Sequence, residues 1–96
     1  MMTIGKNAMY FDDYVLAIQY FNLIINSKPY LYEPYFYRGL AKFYLEDYIG
    51  AEADCTQSID KGPFFPSSYQ VRGLARLNMG KYELAAEDYT KTASFE

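Results

Sequence analysis

Adjacent carboxylates are the first candidates for chemistry in this sequence, and two such pairs, Asp12 with Asp13 and Glu46 with Asp47, stand thirty-four positions apart. Paired carboxylates can divide the general acid and general base roles between them. Both pairs stand between stretches of helical character, however, where solvated turn residues are expected. The sequence also contains no histidine, so the commonest general base and metal ligand is missing. We therefore interpret the acidic pairs as turn residues.

The single cysteine, Cys55, is the next candidate for a reactive group. One cysteine can form no internal disulfide, and without histidine it lacks the usual base that activates a catalytic thiolate. Thirty-four positions away on either side stand Phe21 and Tyr89, so a small buried hydrophobic residue is predicted at Cys55. No nucleophile–base pair, metal-ligand cluster or phosphate-binding loop can be recognised. The sequence thus predicts no enzyme, no cofactor and no metal site.

Basic side chains recur in pairs at helical spacing: Arg38 with Lys42, and Arg72 with Arg76. Such pairs share one helix face and could form an anion-binding ladder for an acidic peptide. Alternatively, each first arginine pairs across an antiparallel hairpin with the aspartate sixteen residues further on, Asp54 or Asp88. We favour these ion pairs, because Ile4 and Tyr20, thirty-four positions before Arg38 and Asp54, lack both charges together. The sequence leaves the roles of Lys42 and Arg76 open.

Charge and composition narrow the class of partner. The net charge is −3, which disfavours nucleic acid and anionic membranes, because both require clustered Lys and Arg. The chain is 51% hydrophobic and contains 12 Tyr and 7 Phe, so aromatic rings should form the core and part of the surface. With no signal-peptide pattern or long apolar run, we expect a soluble domain of unassigned compartment.

A fixed interval of thirty-four positions, called the repeat interval below, organises the whole sequence. Glycines, tyrosines, alanines and prolines recur at this interval, at Gly5, Gly39 and Gly73; at Tyr14, Tyr48 and Tyr82; at Ala17, Ala51 and Ala85; and at Pro29 and Pro63. Such a period indicates a repeat protein in which stacked neighbours complete one core. It predicts a single domain over 1–96, with repeat 1 at about 1–31, repeat 2 at about 32–65 and repeat 3 at about 66–96.

Each repeat has the pattern of two helices. The first helix of repeat 2 is predicted over 34–45, because proline suits a first helical turn. Turn residues follow at three equivalent places: Asp12-Asp13, Glu46-Asp47 and Gly80-Lys81. The second helices start at the repeated tyrosines and end before the next proline, which cannot continue a helix. The repeated Gly and Ala should let the two helices approach closely, at a helix-propensity cost of about 1 kcal/mol per Gly.

These residues resemble the tetratricopeptide repeat (TPR) family over essentially the full chain. The resemblance is carried by an aromatic residue four positions before the glycine (Tyr35, Tyr69), the glycine, an aromatic nine positions later, an alanine three beyond it, and the closing proline. It implies an all-α fold of antiparallel hairpins stacked into a right-handed superhelix, and a protein-interaction scaffold.

In this family the first helices of the hairpins line a concave groove that holds a peptide or a partner helix. Transferred to this chain, the groove consists of Met9, Tyr10, Phe36, Tyr37, Leu40, Phe43, Tyr44, Gln70, Leu74, Leu77 and Asn78. This surface is aromatic and nearly uncharged, which suits the burial of a partner's apolar side chains. The alternative is that several of these rings belong to the core, because predicted helix positions can slip by a residue or two.

One subgroup of the family holds the C-terminal carboxylate of heat-shock chaperones with Lys, Asn, Asn, Lys and Arg. The matching positions here are Met2, Lys6, Tyr37, Ser67 and Val71, and none has the required residue. We therefore do not expect a chaperone-tail function of that type.

The ends of the chain suggest an alternative function. Repeat 1 lacks the early aromatic residue, and no polar capping helix follows Ala86, Tyr89, Ala93 and Phe95 of the last helix. We expect either a fragment of a longer array or a structural module that self-associates through its end faces.

Overall fold

The computed structural model describes residues 2–10 and 12–96, and these residues form six α-helices and no β-strand. The helices are α1 (Met2–Tyr10), α2 (Tyr14–Ser27), α3 (Tyr32–Tyr44), α4 (Tyr48–Lys61), α5 (Pro66–Asn78) and α6 (Tyr82–Ala93). Consecutive helices pack into three hairpins, α1–α2, α3–α4 and α5–α6, and contacts of α2 with α3 and of α4 with α5 join the hairpins. The predicted all-α fold is confirmed.

The helix starts differ slightly from those predicted. Helix α3 begins at Tyr32 and not at Pro34, whereas α5 begins at Pro66. Proline is tolerated throughout a first helical turn, because the N–H groups there have no partner within the helix. The predicted starts of the second helices at Tyr14, Tyr48 and Tyr82 are confirmed. No helix within 2–10 and 12–96 has both the length and the apolar character needed to cross a bilayer.

The three hairpin turns lie at the predicted places and share one backbone conformation. Asp12, Glu46 and Gly80, spaced by the repeat interval, have φ values of 61°, 64° and 76°. This left-handed conformation reverses the chain after a helix and costs about 1–2 kcal/mol for residues with a Cβ atom. Gly80 avoids that cost.

The acidic pairs act in these turns as helix caps. The side chain of Asp13 accepts a hydrogen bond from the backbone N–H of Leu16 at 3.2 Å, and Asp47 accepts one from Gly50 at 2.9 Å. A side-chain oxygen at this position satisfies one of the unpaired N–H groups of the first turn. The interpretation of both pairs as turn residues is therefore confirmed.

The repeated small residues lie where the two helices of each hairpin are closest. A Cβ atom on Gly39 would lie 3.1 Å from Cβ of Asp54 and 3.3 Å from the carbonyl oxygen of Ala51. On Gly5, a Cβ atom would lie 2.7 Å from Cε1 of Phe21. The side chains of Ala17, Ala51 and Ala85 are almost completely buried. The predicted close approach is confirmed, and it holds the helices in one relative position.

The core extends across the hairpin boundaries. One cluster combines residues of the first two repeats: Ala8, Ala17, Phe21, Ile24 and Ala41. A second cluster combines Phe36 and Cys55 of repeat 2 with Val71 of repeat 3. Each hairpin therefore buries its apolar face only by stacking on the next, as expected for a repeat protein.

Candidate protein-binding groove

The first helices of the hairpins lie side by side. Cα atoms of α1 and α3, and of α3 and α5, approach to within 8 Å. Tyr37, Leu40 and Tyr44 are three and four residues apart and therefore share one face of α3. That face differs from the one that carries Gly39, which contacts the second helix of the hairpin. We call the surface formed by this face and its equivalents on α1 and α5 the first-helix groove.

Five of the eleven predicted groove residues contact the core clusters, and one of them, Phe36, is buried. Phe36 is only 5% exposed, and its ring meets Phe65 edge to face at a centroid distance of 5.0 Å. Tyr37, Leu40 and Phe43 are partly buried against the same cluster, and Met9 is partly buried against the cluster of the first two repeats. The structure thus places Phe36 in the core, because the following hairpin covers that side of α3.

All predicted groove residues except Phe36 are at least partly accessible. Tyr10 is 82% exposed, Tyr44 is 54% exposed and Leu77 is 44% exposed. Gln70 and Asn78 are also exposed, whereas Tyr37, Leu40 and Leu74 are half-buried. The Tyr44 ring stacks on Tyr14 at 5.0 Å between centroids, which holds it at the turn end of the groove.

Equivalent positions on α1, α3 and α5 form rows across the groove. The middle row consists of Lys6, Leu40 and Leu74, and the turn-side row consists of Tyr10, Tyr44 and Asn78, in each case spaced by the repeat interval. Lys6 was not predicted as a groove residue, although its position one repeat interval before Leu40 indicates that it lies on the same face. Its Nζ lies 4.7 Å from the centroid of the Tyr37 ring, within the range of a cation–π contact.

The predicted Arg–Asp pairs are present and lie away from the groove, between first and second helices. Arg38 donates two hydrogen bonds to Asp54, from Nε at 2.8 Å and from Nη2 at 2.7 Å. Arg72 binds Asp88 in the same manner, with Nη2 at 2.7 Å from Oδ1. The hydrogen bond to Asp54 raises the pKa of Arg38 above its usual value. The internal ion pairs are therefore confirmed.

Each arginine also donates a hydrogen bond to the preceding hairpin, a contact that was not predicted. Arg38 Nη1 donates to Asn22 at 2.9 Å, and Arg72 Nη1 donates to Thr56 at 3.3 Å. Both acceptors stand sixteen residues before their arginine, and one repeat interval separates them. That regular spacing is the signal by which they could have been found.

Lys42 and Arg76, whose roles were open, belong to the same network. Lys42 pairs with Asp54 at 3.0 Å, and Arg76 pairs at 2.9 Å with Asp88 and with Glu52 of the preceding hairpin. Lys81 also binds Glu52, at 3.0 Å. Burial by itself would raise the pKa of Glu52, but hydrogen bonds from Arg76 and Lys81 lower it. We call these contacts the inter-helix ion ladder; its cations are occupied by internal carboxylates and not by an external anion.

Cys55 has the predicted core position. Its side chain is fully buried, and burial raises the pKa of the thiol to about 12, so it remains protonated near neutral pH. Within 2–10 and 12–96, no group of three or more Cys, Asp or Glu side chains is arranged to hold a metal ion. The arrangement of side chains is that of a packed scaffold with one open, aromatic surface.

Stacked antiparallel hairpins with a shared core and a continuous surface of first helices define the class of helical-repeat scaffolds. Within that class the fold is that of tetratricopeptide repeats, and the six helices correspond to about two and two-thirds repeats. The identification from the repeated Gly, Tyr, Ala and Pro residues is thus confirmed.

The solved structures to which this chain is similar are TPR domains. The first TPR of Spaghetti (RPAP3), bound to the HSP90 peptide SRMEEVD, superposes with a TM-score of 0.97 at 26% identity over 99% of this chain and 75% of that one. The second TPR of Spaghetti, bound to the same peptide, superposes with a TM-score of 0.97 at 25% identity over 99% of this chain and 88% of that one. The TPR2B domain of yeast Sti1, in its pHsp70 complex, superposes with a TM-score of 0.92 at 25% identity over 95% of this chain and 73% of that one. Comparisons of the sequence with protein-family models and with curated proteins give no match.

Proposed function

We propose that this chain is a protein-interaction scaffold that binds a segment of a partner protein in the first-helix groove. The observation that carries the proposal is the accessible Tyr10, Tyr44 and Leu77 on the first helices, beside half-buried Tyr37 and Leu40. Aromatic side chains bury a large area at a low entropic cost and therefore dominate many binding surfaces. The interior, in contrast, is filled, and the ladder cations are internally paired.

The similar solved structures support a peptide as the class of ligand. Two TPR domains of Spaghetti bind the HSP90 peptide SRMEEVD, and the TPR2B domain of Sti1 forms a complex with pHsp70. In this chain the positions of the chaperone-tail subgroup are Met2, Lys6, Tyr37, Ser67 and Val71, of which Val71 is buried. Without the required Lys, Asn and Arg residues, the proposed ligand is not an acidic C-terminal tail. Binding without catalysis is the role we assign.

The proposal predicts that partner capture depends on two groove tyrosines. The double variant Tyr37→Leu, Tyr44→Ala should lose at least about tenfold in the amount of partner retained, as expected for central aromatic contact residues. Leucine keeps the packing of residue 37 against Phe21, so far-ultraviolet circular dichroism should stay unchanged. The measurement is a quantitative pull-down of cellular proteins.

A control variant removes two exposed rings outside the groove. Tyr30 and Tyr82 are each 68% exposed, so the variant Tyr30→Ala, Tyr82→Ala removes more exposed aromatic surface than the groove variant does. It should retain its partners. Equal losses in the two double variants, or full capture by the groove variant, would contradict the proposal.

Self-association is the second candidate function, and the outer face of α6 supports it. Ala86 is exposed and stands one repeat interval after Glu52, which contacts the next hairpin through Arg76 and Lys81. Ala93 is likewise exposed, so an uncharged, small-residue surface replaces the inter-hairpin contact. Sedimentation equilibrium should then show a mass that rises with concentration, and the variant Ala86→Glu, Ala93→Glu should restore the monomer. A monomeric mass at every concentration tested would exclude this candidate.

A further inference from the structure

The middle row of the groove carries one charge and two apolar side chains. Lys6 is exposed, and Leu40 and Leu74, which follow at successive repeat intervals, are half-buried. Lys6 contacts the face of Tyr37 and makes no ion pair with any residue within 2–10 and 12–96. An extended ligand that crosses α1, α3 and α5 in turn would therefore meet a cation first and two leucines afterwards.

Most of the other cations have partners elsewhere. Five of them are in the inter-helix ion ladder: Arg38, Lys42, Arg72, Arg76 and Lys81. Lys61 and Lys91 lie over the rings of Tyr35 and Tyr69. Lys28 is at the end of α2, where its backbone N–H donates to the carbonyl of Ile24, and is not on a first helix. The nearest acid on the groove face of α3 is Glu33, one turn before Tyr37. An anionic group of the ligand is thus favoured at Lys6 and disfavoured at the start of α3.

The spacing of the rows selects a backbone conformation. Cα atoms of neighbouring first helices approach to within 8 Å, so their axes should have the usual spacing of packed helices, about 8–10 Å. A polyproline II segment has three residues per turn and advances about 9.3 Å in that turn, so residues i, i+3 and i+6 face the same side at this interval. In a β-strand, residues on one side are about 6.6 Å apart, which does not match the interval.

We infer that the ligand of the groove is a polyproline II segment with a carboxylate at position i and aliphatic side chains at positions i+3 and i+6. The carboxylate pairs with Lys6, and the two aliphatic side chains pack on Leu40 and Leu74. A polyproline II backbone makes no internal hydrogen bonds, so its carbonyl groups are available to hydroxyls such as that of Tyr44. This inference rests on the proposed function and specifies the ligand of the same surface.

Three fluorescein-labelled, end-capped peptides test the register on the full chain. The first contains EPPLPPL, the second replaces its Glu by Gln, and the third, EPPPLPPPL, lengthens both intervals by one residue. Fluorescence anisotropy gives the affinities, and amide chemical shifts locate the site. The first peptide should bind about threefold or more tighter than the other two, and should shift the signals of Leu40, Tyr44 and Leu74.

A charge exchange tests the assigned contact. Lys6→Glu should lower the affinity for the Glu peptide by about threefold to tenfold. It should raise the affinity for a peptide with Lys in place of Glu by a similar factor. Lys28→Glu changes the net charge equally at a site outside the groove and should leave both affinities unchanged. Equal effects of the two variants would overturn the pairing with Lys6.

The outcomes separate this inference from the proposed function. If all peptides bind equally and shift the groove signals, the register is wrong and binding in the groove stands. If no peptide shifts the signals of Leu40, Tyr44 or Leu74, the inference fails, and the groove itself is then judged by the pull-down with the Tyr37→Leu, Tyr44→Ala variant.

Discussion

Replacing Asp88 by alanine is expected to lower the free energy of unfolding by about 3–5 kcal/mol, the range observed when one partner of a buried ion pair is removed. The Asp88 side chain is only 3% exposed, and its two oxygens accept hydrogen bonds from Arg72 and Arg76 at 2.7 Å and 2.9 Å. Without it, the Arg72 guanidinium remains half-buried, with one hydrogen bond to Thr56 at 3.3 Å and the Tyr69 ring 5.8 Å away. An unpaired buried charge costs more than the ion pair contributes.

The neighbouring residue is the control. Glu87 lies on the same helix but is exposed, so Glu87→Ala should change stability by no more than about 0.5 kcal/mol. Urea unfolding followed by circular dichroism gives both values. For a domain of this size, the Asp88 variant should also melt at least about 12 °C lower. Two variants of equal stability would show that the ladder contributes orientation without net stability.

Phe36→Ala should destabilise the chain by about 3–5 kcal/mol, because it leaves a cavity where a whole ring was buried. The ring is 5% exposed and packs edge to face against Phe65 and Tyr37, with centroids 5.0 Å and 5.1 Å away. It also joins Cys55 to Val71, and thus repeat 2 to repeat 3. Thermal and urea unfolding measure the effect.

An exposed ring shows whether burial is the cause. Phe64 is 84% exposed, so Phe64→Ala should stay within about 0.5 kcal/mol of the parent chain. Phe36→Leu, which keeps most of the volume, should cost less than about 1.5 kcal/mol. A Phe36→Ala variant as stable as Phe64→Ala would place residue 36 at the surface. If the destabilisation is found, loss of partner capture in any Phe36 variant reports on folding and not on the groove.

The two junctions between repeats are held by different interactions. Between repeats 2 and 3, Glu52 binds Arg76 and Lys81, in addition to the contact of Arg72 with Thr56. The position equivalent to Glu52 in repeat 1 is Ile18, which packs against the apolar cluster of the first two repeats. The first junction is therefore mainly apolar, whereas the second adds ionic contacts to its apolar cluster of Phe36, Cys55 and Val71, so salt should weaken the second more than the first.

The repeat interval determined much of this protein without a structure. Hairpin turns, close-packed glycines and the pairing of Arg38 with Asp54 recur in register, and each depends on contacts within one hairpin. Neighbours along the chain bring such residues together, so a regular spacing is enough to predict them. The groove was predicted as a surface for the same reason, since first helices repeat at the same interval.

Tertiary structure alone decided which side chains of the first helices belong to the groove. Phe36 and Tyr37 are adjacent on α3, yet one fills the core and the other contacts Lys6 of another hairpin. Adjacent helical residues differ by about 100° in direction, so the side chain that becomes buried depends on where the next hairpin lies. The partners of Arg76 were unpredictable for a related reason: Glu52 is 24 residues earlier, in a different hairpin, and only the stacking of the repeats brings the two together.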